Sequence, residues 1–264
     1  MTDALRDLRT EELTLPPLQR ARSVRIAAGF TTLAFVAFGF IPQFGGPGYE
    51  SSLAAGLILP ATSALCLSFG LAGTRVAPLT AFGRGLSVAF ALAALGLALV
   101  LGHGVRVGMC DAGWGIELYL LAPLPGALLA GVWGAGVGLA AGHVRPGFRR
   151  RTACILGALS APLFGIGLSL GRFYTSPMVF AFDPFFGYFA GPLYDTVIDA
   201  FWTLASYRVG TLLTLLGLGC AAAFFDERLQ FLGFRSRGWL LGVGLSAALG
   251  SGTLLWNGAL LGHF

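Results

Sequence analysis

Two stretches of this 264-residue chain gather ionisable groups that could do chemistry. HGVRVGMCDAGWGIELY, residues 103–119, holds His103, Arg106, Cys110, Asp111 and Glu117 in one short connection. Glu117 sits at the mouth of an apolar run, where an ionisable group is a candidate for function. With Asp111 it also fits the positive dipole end of a starting helix. RFYTSPMVFAFDPFFGYFAGPLYDTVIDAFW, residues 172–202, carries 11 aromatic residues in 31. Within it Asp183, Tyr188, Tyr194, Asp195 and Asp199 would suit a cationic or peptide ligand; with Glu117 they form the binding candidates. The same composition fits a belt of amphipathic rings at a membrane surface, with turns at Asp183-Pro184 and Gly191-Pro192. Arg208 comes next, interrupting an apolar run. The simpler expectation is that Arg208 snorkels to the interface. If its helix starts near Phe201, it is buried by about two turns and needs Glu117, Asp111 or Asp199 as partner.

Other chemistries find no support. Cys66, Cys110, Cys154 and Cys220 include no pair at metal-ligand spacing, and no HExxH occurs, so neither a metal nor a cofactor is expected. Cys66, Cys154 and Cys220 read as small hydrophobes inside apolar runs. Gly250-Ser251-Gly252 is a poor version of a serine intramembrane protease motif. The 40 glycines include no set that follows a strand and opens a phosphate-binding helix. They recur instead as small-xxx-small spacings, Gly134 to Gly138, Gly167 to Gly171 and Gly242 to Ser246, which predict close helix packing in a membrane.

The elements that must position these groups follow from composition. With 56% hydrophobic and 11% charged residues and a mean hydropathy of +0.78, the chain needs lipid as its solvent. A span takes about 20 mainly apolar residues, and on that ruler the chain divides into about seven: roughly 24–42, 51–73, 85–103, 115–143, 152–171, 201–225 and 239–262. Pro123 and Pro125 should break or kink the long fourth run; Pro60 and Pro162 should kink the second and fifth. Residues 1–23 form a polar lead, and 226–237 (DERLQFLGFRSR) could be a short surface helix. All 17 basic residues are arginine, which reads as GC-rich bacterial coding. With the N-terminus inside, 14 of them lie on the cytoplasmic side and only Arg106, Arg172 and Arg208 on the other. Basic residues distributed in this way argue against a nucleic-acid partner despite the net charge of +5.

Two strings, CDAGWGIELYLLAPLPGALLAG from Cys110 and SPMVFAFDPFFGYFAGPLYDTVID from Ser176, resemble segments of multi-span N-terminal regions in uncharacterised bacterial proteins of myxobacterial type. In those proteins an extracytoplasmic domain resembling gluzincin metallopeptidases follows the last span. The resemblance covers most of this chain, implies a membrane region without the peptidase, and transfers no site residues. A second resemblance is to membrane transpeptidases of the exosortase and archaeosortase type, which use an external Cys, Arg and His. It implies Cys110, Arg208 and His263 (or His103) as catalytic candidates. Such a thiolate needs a cation or base beside it, and an arginine to stabilise developing negative charge. This chain departs from those enzymes in having Asp111-Ala112 after the cysteine and a long Cys-to-Arg interval.

The expected fold is therefore all-α: a polytopic bundle over 24–264 in a bacterial inner membrane, N-terminus in and C-terminus out. Residues 172–200 form an aromatic external segment, read as a cap. The expected function is non-enzymatic, anchoring or positioning an extracytoplasmic domain or partner. A small-molecule or ion transporter or channel, and a membrane cysteine transpeptidase, are the alternatives. The bilayer is the expected partner, and homo-oligomerisation stays open.

Overall fold

The computed structural model describes residues 22–109, 111–175, 180–190, 201–233 and 238–260. In chain order the elements are α1 (Arg22–Gly39), a 3-10 turn (Pro42–Phe44), α2 (Tyr49–Leu71), α3 (Pro78–Val107), α4 (Ala112–Leu121) and α5 (Pro123–Ala141). Then come α6 (Phe148–Thr175), a hairpin of β1 (Phe180–Asp183) and β2 (Gly187–Ala190), α7 (Phe201–Ala222) and α8 (Gly238–Leu260). Tyr49–Leu71, Pro78–Val107, Ala112–Ala141, Phe148–Thr175 and Leu204–Ala222 are long and apolar enough to cross a membrane. The helices fall on the apolar runs read from the sequence. The fourth run is split at Ala122, where the prolines had predicted a break; Pro60 and Pro162 lie inside continuous helices. The outward faces are apolar, with Phe30, Leu33, Phe90, Leu156, Phe164 and Leu249 all exposed. A surface of that kind is a surface for lipid.

The core is organised around α2 and α5, which pack closely because small residues face each other. A Cβ on Gly134 would overlap the backbone of Ala64, and one on Gly138 would come within 2.8 Å of the Ser68 carbonyl. Gly85 and Gly131 bring α3 onto α5 in the same way, a Cβ on Gly131 lying 2.6 Å from the Gly85 carbonyl. The hydroxyls of α2 bond back to their own helix, Thr62 to Ile58 at 2.8 Å and Ser68 to Leu65 at 3.0 Å. Two side chains stitch helices together by donating to carbonyls: Tyr119 to Ala93 at 2.9 Å and Trp133 to Gly157 at 2.8 Å. Cys66, Cys154 and Cys220 are buried, as small apolar groups should be.

Two expectations are corrected. Gly167, Gly171 and Gly242 face open space, with nothing within 4 Å of an added Cβ, so those spacings do not mark helix contacts. The approach of α8 to α7 uses Gly244 instead, whose added Cβ would lie 3.0 Å from Cys220. Residues 226–233 do not form a surface helix. The Asp226 carboxylate accepts from the N–H groups of Arg228 at 2.9 Å and Gln230 at 2.7 Å, offering the backbone an alternative to helical bonds. Phe225 and Phe231 then pair as an isolated bridge. Within the segment read as an external cap, residues 180–190 form a β-hairpin.

Close packing at Gly134 makes a direct test. Gly134→Val should destabilise the bundle by about 1–3 kcal/mol, the usual cost of overpacking. Gly167→Ala should leave the melting temperature in detergent unchanged or slightly raised, since alanine is the better helix former. Equal losses at both sites would contradict the packing.

Candidate functional site

The hairpin turn is dictated by five residues, Asp183-Pro184-Phe185-Phe186-Gly187. Asp183 pairs with Gly187 in register, leaving a three-residue loop. Proline sets the first loop position, and the returning residue must have positive φ, which Gly187 supplies at 107°. Asp183 Oδ1 accepts from the N–H groups of Phe185 at 2.7 Å and Phe186 at 2.9 Å, closing the turn from inside. The Ser169 hydroxyl on α6 reaches both the Phe182 carbonyl at 2.8 Å and Asp183 Oδ2 at 3.3 Å.

This turn is wedged into the bundle. Phe182, Phe185 and Phe186 are buried, and Asp183 has no exposed surface. The seats are glycines: a Cβ on Gly126 of α5 would overlap the Phe185 carbonyl, and one on Gly56 of α2 would overlap that of Phe186. Gly165 of α6 lies under Asp183, where an added Cβ would be 2.6 Å from Oδ2.

Arg208 locks the wedge. It lies seven residues into α7, about 10 Å along the helix, and is only 3% exposed. Its Nε donates to the Leu121 carbonyl at 2.6 Å and Nη2 to that of Ala122 at 2.6 Å. Nη1 donates to the carbonyls of Pro184 at 2.8 Å and Asp183 at 3.4 Å, and to the Thr211 hydroxyl at 3.4 Å. The cause of the first bond lies in the sequence. In an unbroken helix the Leu121 carbonyl would accept from residue 125, but Pro125 has no N–H to give. Arg208 replaces that missing donor.

The expectation that Arg208 snorkels is thus wrong. α7 begins at Phe201, the guanidinium is buried, and it donates to carbonyls; Glu117 and Asp111 are exposed, and Asp199 lies outside the described residues. Of the residues predicted as site candidates, the structure brings together Asp183 and Arg208. Glu117 is exposed on α4, and Asp111 caps α4 by accepting from the Trp114 N–H at 3.0 Å. Tyr188 stands in β2 opposite Phe182. Cys110, Tyr194, Asp195, Asp199 and His263 lie outside the described residues. His103 and Arg106 form a separate pair on α3, with Arg106 donating to His103 Nδ1 at 3.3 Å and to the Gly39 carbonyl at 2.6 Å. Ser169 and Thr211 were missed from sequence, because one hydroxyl among many in an apolar helix carries no signal of its own.

Asp183 belongs to the hairpin, outside every spanning helix. Burial pushes its carboxyl above the usual range. The N–H groups of Phe186 and Phe185, the Arg208 guanidinium and the Ser169 hydroxyl pull the other way. Its geometric duty is to accept hydrogen bonds, which an amide oxygen also does. Asp183→Asn should therefore retain most of the stability, whereas Asp183→Ala strands two buried N–H groups and should lose about 2–4 kcal/mol. Denaturation of both variants in one detergent tests this; equal losses would mean that the negative charge, not the acceptor, matters.

Compared with family models, curated proteins and solved structures, the chain matches none of them, so the reading of this site stands on its geometry.

Proposed function

We propose that the chain is a polytopic domain of a bacterial inner membrane, with about seven spans, N-terminus inside and C-terminus outside. Its role is to anchor and position an extracytoplasmic domain or partner without catalysing a reaction. One observation carries this reading: the buried polar groups at the external connection are spent on holding the hairpin still. Asp183 closes the turn, Ser169 ties it to α6, and Arg208 ties it to α4 and α7. A fixed external wedge is what a platform requires. The resemblance to membrane regions that precede gluzincin-like domains supports the same role and suggests a partner of that kind.

A transporter is the second reading, favoured by the broken α4–α5 helix, since interrupted helices with free carbonyls form ion and substrate sites. The transpeptidase reading is weakened at Arg208. A guanidinium whose nitrogens are all engaged by carbonyls at these distances is poorly placed to stabilise negative charge on a substrate.

Three measurements test the proposal. Amide exchange at Phe185 and Phe186 should be as slow as in the helices if the hairpin is a fixed platform; fast exchange would favour an opening transporter. For orientation, in a background without the native cysteines, Thr175→Cys should react with an impermeant thiol reagent in intact cells and Glu227→Cys should not. The reverse pattern would invert the topology. Cys110→Ala should leave folding intact and, on the scaffold reading, leave any partner binding intact as well; loss of a measurable activity would restore the enzyme.

A further inference from the structure

We propose that the α4–α5 break and the hairpin turn together build a guanidinium-binding site, and that Arg208 is its resident ligand, supplied by the chain itself. The inference goes beyond the scaffold reading, and holds whether the domain is a scaffold or a transporter.

The acceptors come from separate parts of the chain and are arranged around one planar group. Nε and Nη2 form the side-on fork of an arginine, and they meet consecutive carbonyls, Leu121 and Ala122, both at 2.6 Å. Nη1, at the other end of the plane, meets the Pro184 carbonyl at 2.8 Å, with Asp183 and Thr211 at 3.4 Å. All three guanidinium nitrogens therefore find acceptors. The first two carbonyls lie at the junction of α4 and α5, where Pro125 has no N–H to offer Leu121, and the turn carbonyls come from Asp183 and Pro184. Nothing in this set reads the aliphatic stem of the side chain; it reads a flat, delocalised cation with N–H groups on every edge. An ammonium, a compact charge with three donors in a tetrahedral fan, cannot satisfy the fork and the opposite end together.

Recognition of the head group alone predicts that the site can be refilled. Arg208→Gly removes the side chain and leaves a buried space lined by carbonyls that have lost its N–H groups, which should lower the melting temperature in detergent. Guanidinium chloride at low millimolar concentration, present throughout purification, should recover more than half of that loss and should not raise the midpoint of the wild-type protein. Sodium and ammonium chloride at equal concentration should recover little. Absence of recovery, or equal recovery by all three salts, overturns the proposal. Arg208→Lys covers the case in which the glycine variant does not accumulate. It retains the charge but loses the fork, so its midpoint should fall clearly below wild type; a midpoint equal to wild type also overturns the proposal. Neither result depends on thiol labelling or amide exchange, so this site and the scaffold reading can fail separately.

Discussion

A backbone carbonyl inside an apolar bundle has no water to turn to, and each one left unpaired costs free energy that a marginally stable fold can ill spare. The sequence Ala122-Pro123-Leu124-Pro125 creates that problem at the start of α5, because two prolines remove two donors from one helical turn. The hairpin and α7 answer it. Arg208 supplies the Leu121 carbonyl with a donor from a helix far along the chain, and the same guanidinium reaches the hairpin turn. Helix break, hairpin and α7 thereby become one mechanical unit.

Glycine makes that unit compact. The turn enters the bundle only because Gly56 and Gly126 present bare backbone to the Phe185 and Phe186 carbonyls. The same device brings α2 onto α5 at Gly134 and Gly138. In lipid, where apolar helices gain little by leaving a solvent as oily as themselves, such close backbone contact is what distinguishes the packed bundle from separated helices.

Helices, their approximate limits and the break at Pro123 were legible because hydropathy and proline chemistry act locally. The turn at Asp183-Pro184 was legible for the same reason. Whether Arg208 lay in water or in the core was not, because that depends on whether α7 starts at Phe201 or several residues later, and an aromatic-rich start suits either. Its acceptors were harder still: backbone carbonyls look alike in a sequence, and only the i+4 rule at Pro125 singles out Leu121. Gly167 and Gly171 misled for a related reason. A small-xxx-small spacing describes a smooth helix face but does not say whether another helix comes to it.

The separation between Arg208 and Leu121, 87 residues, also bears on how the protein is made. Membrane helices enter the bilayer in the order of their synthesis, so α4 and α5 are inserted long before α7 exists. Through that interval the Leu121 carbonyl must be tolerated without its eventual donor, sheltered by the insertion machinery or by lipid headgroups near the surface. Arrival of α7 closes the gap and seats the hairpin in the same event, since one side chain does both. The end of the domain around the hairpin would then mature late and all at once, and a nascent chain that stops short of α7 would carry a recognisable defect for quality control to find.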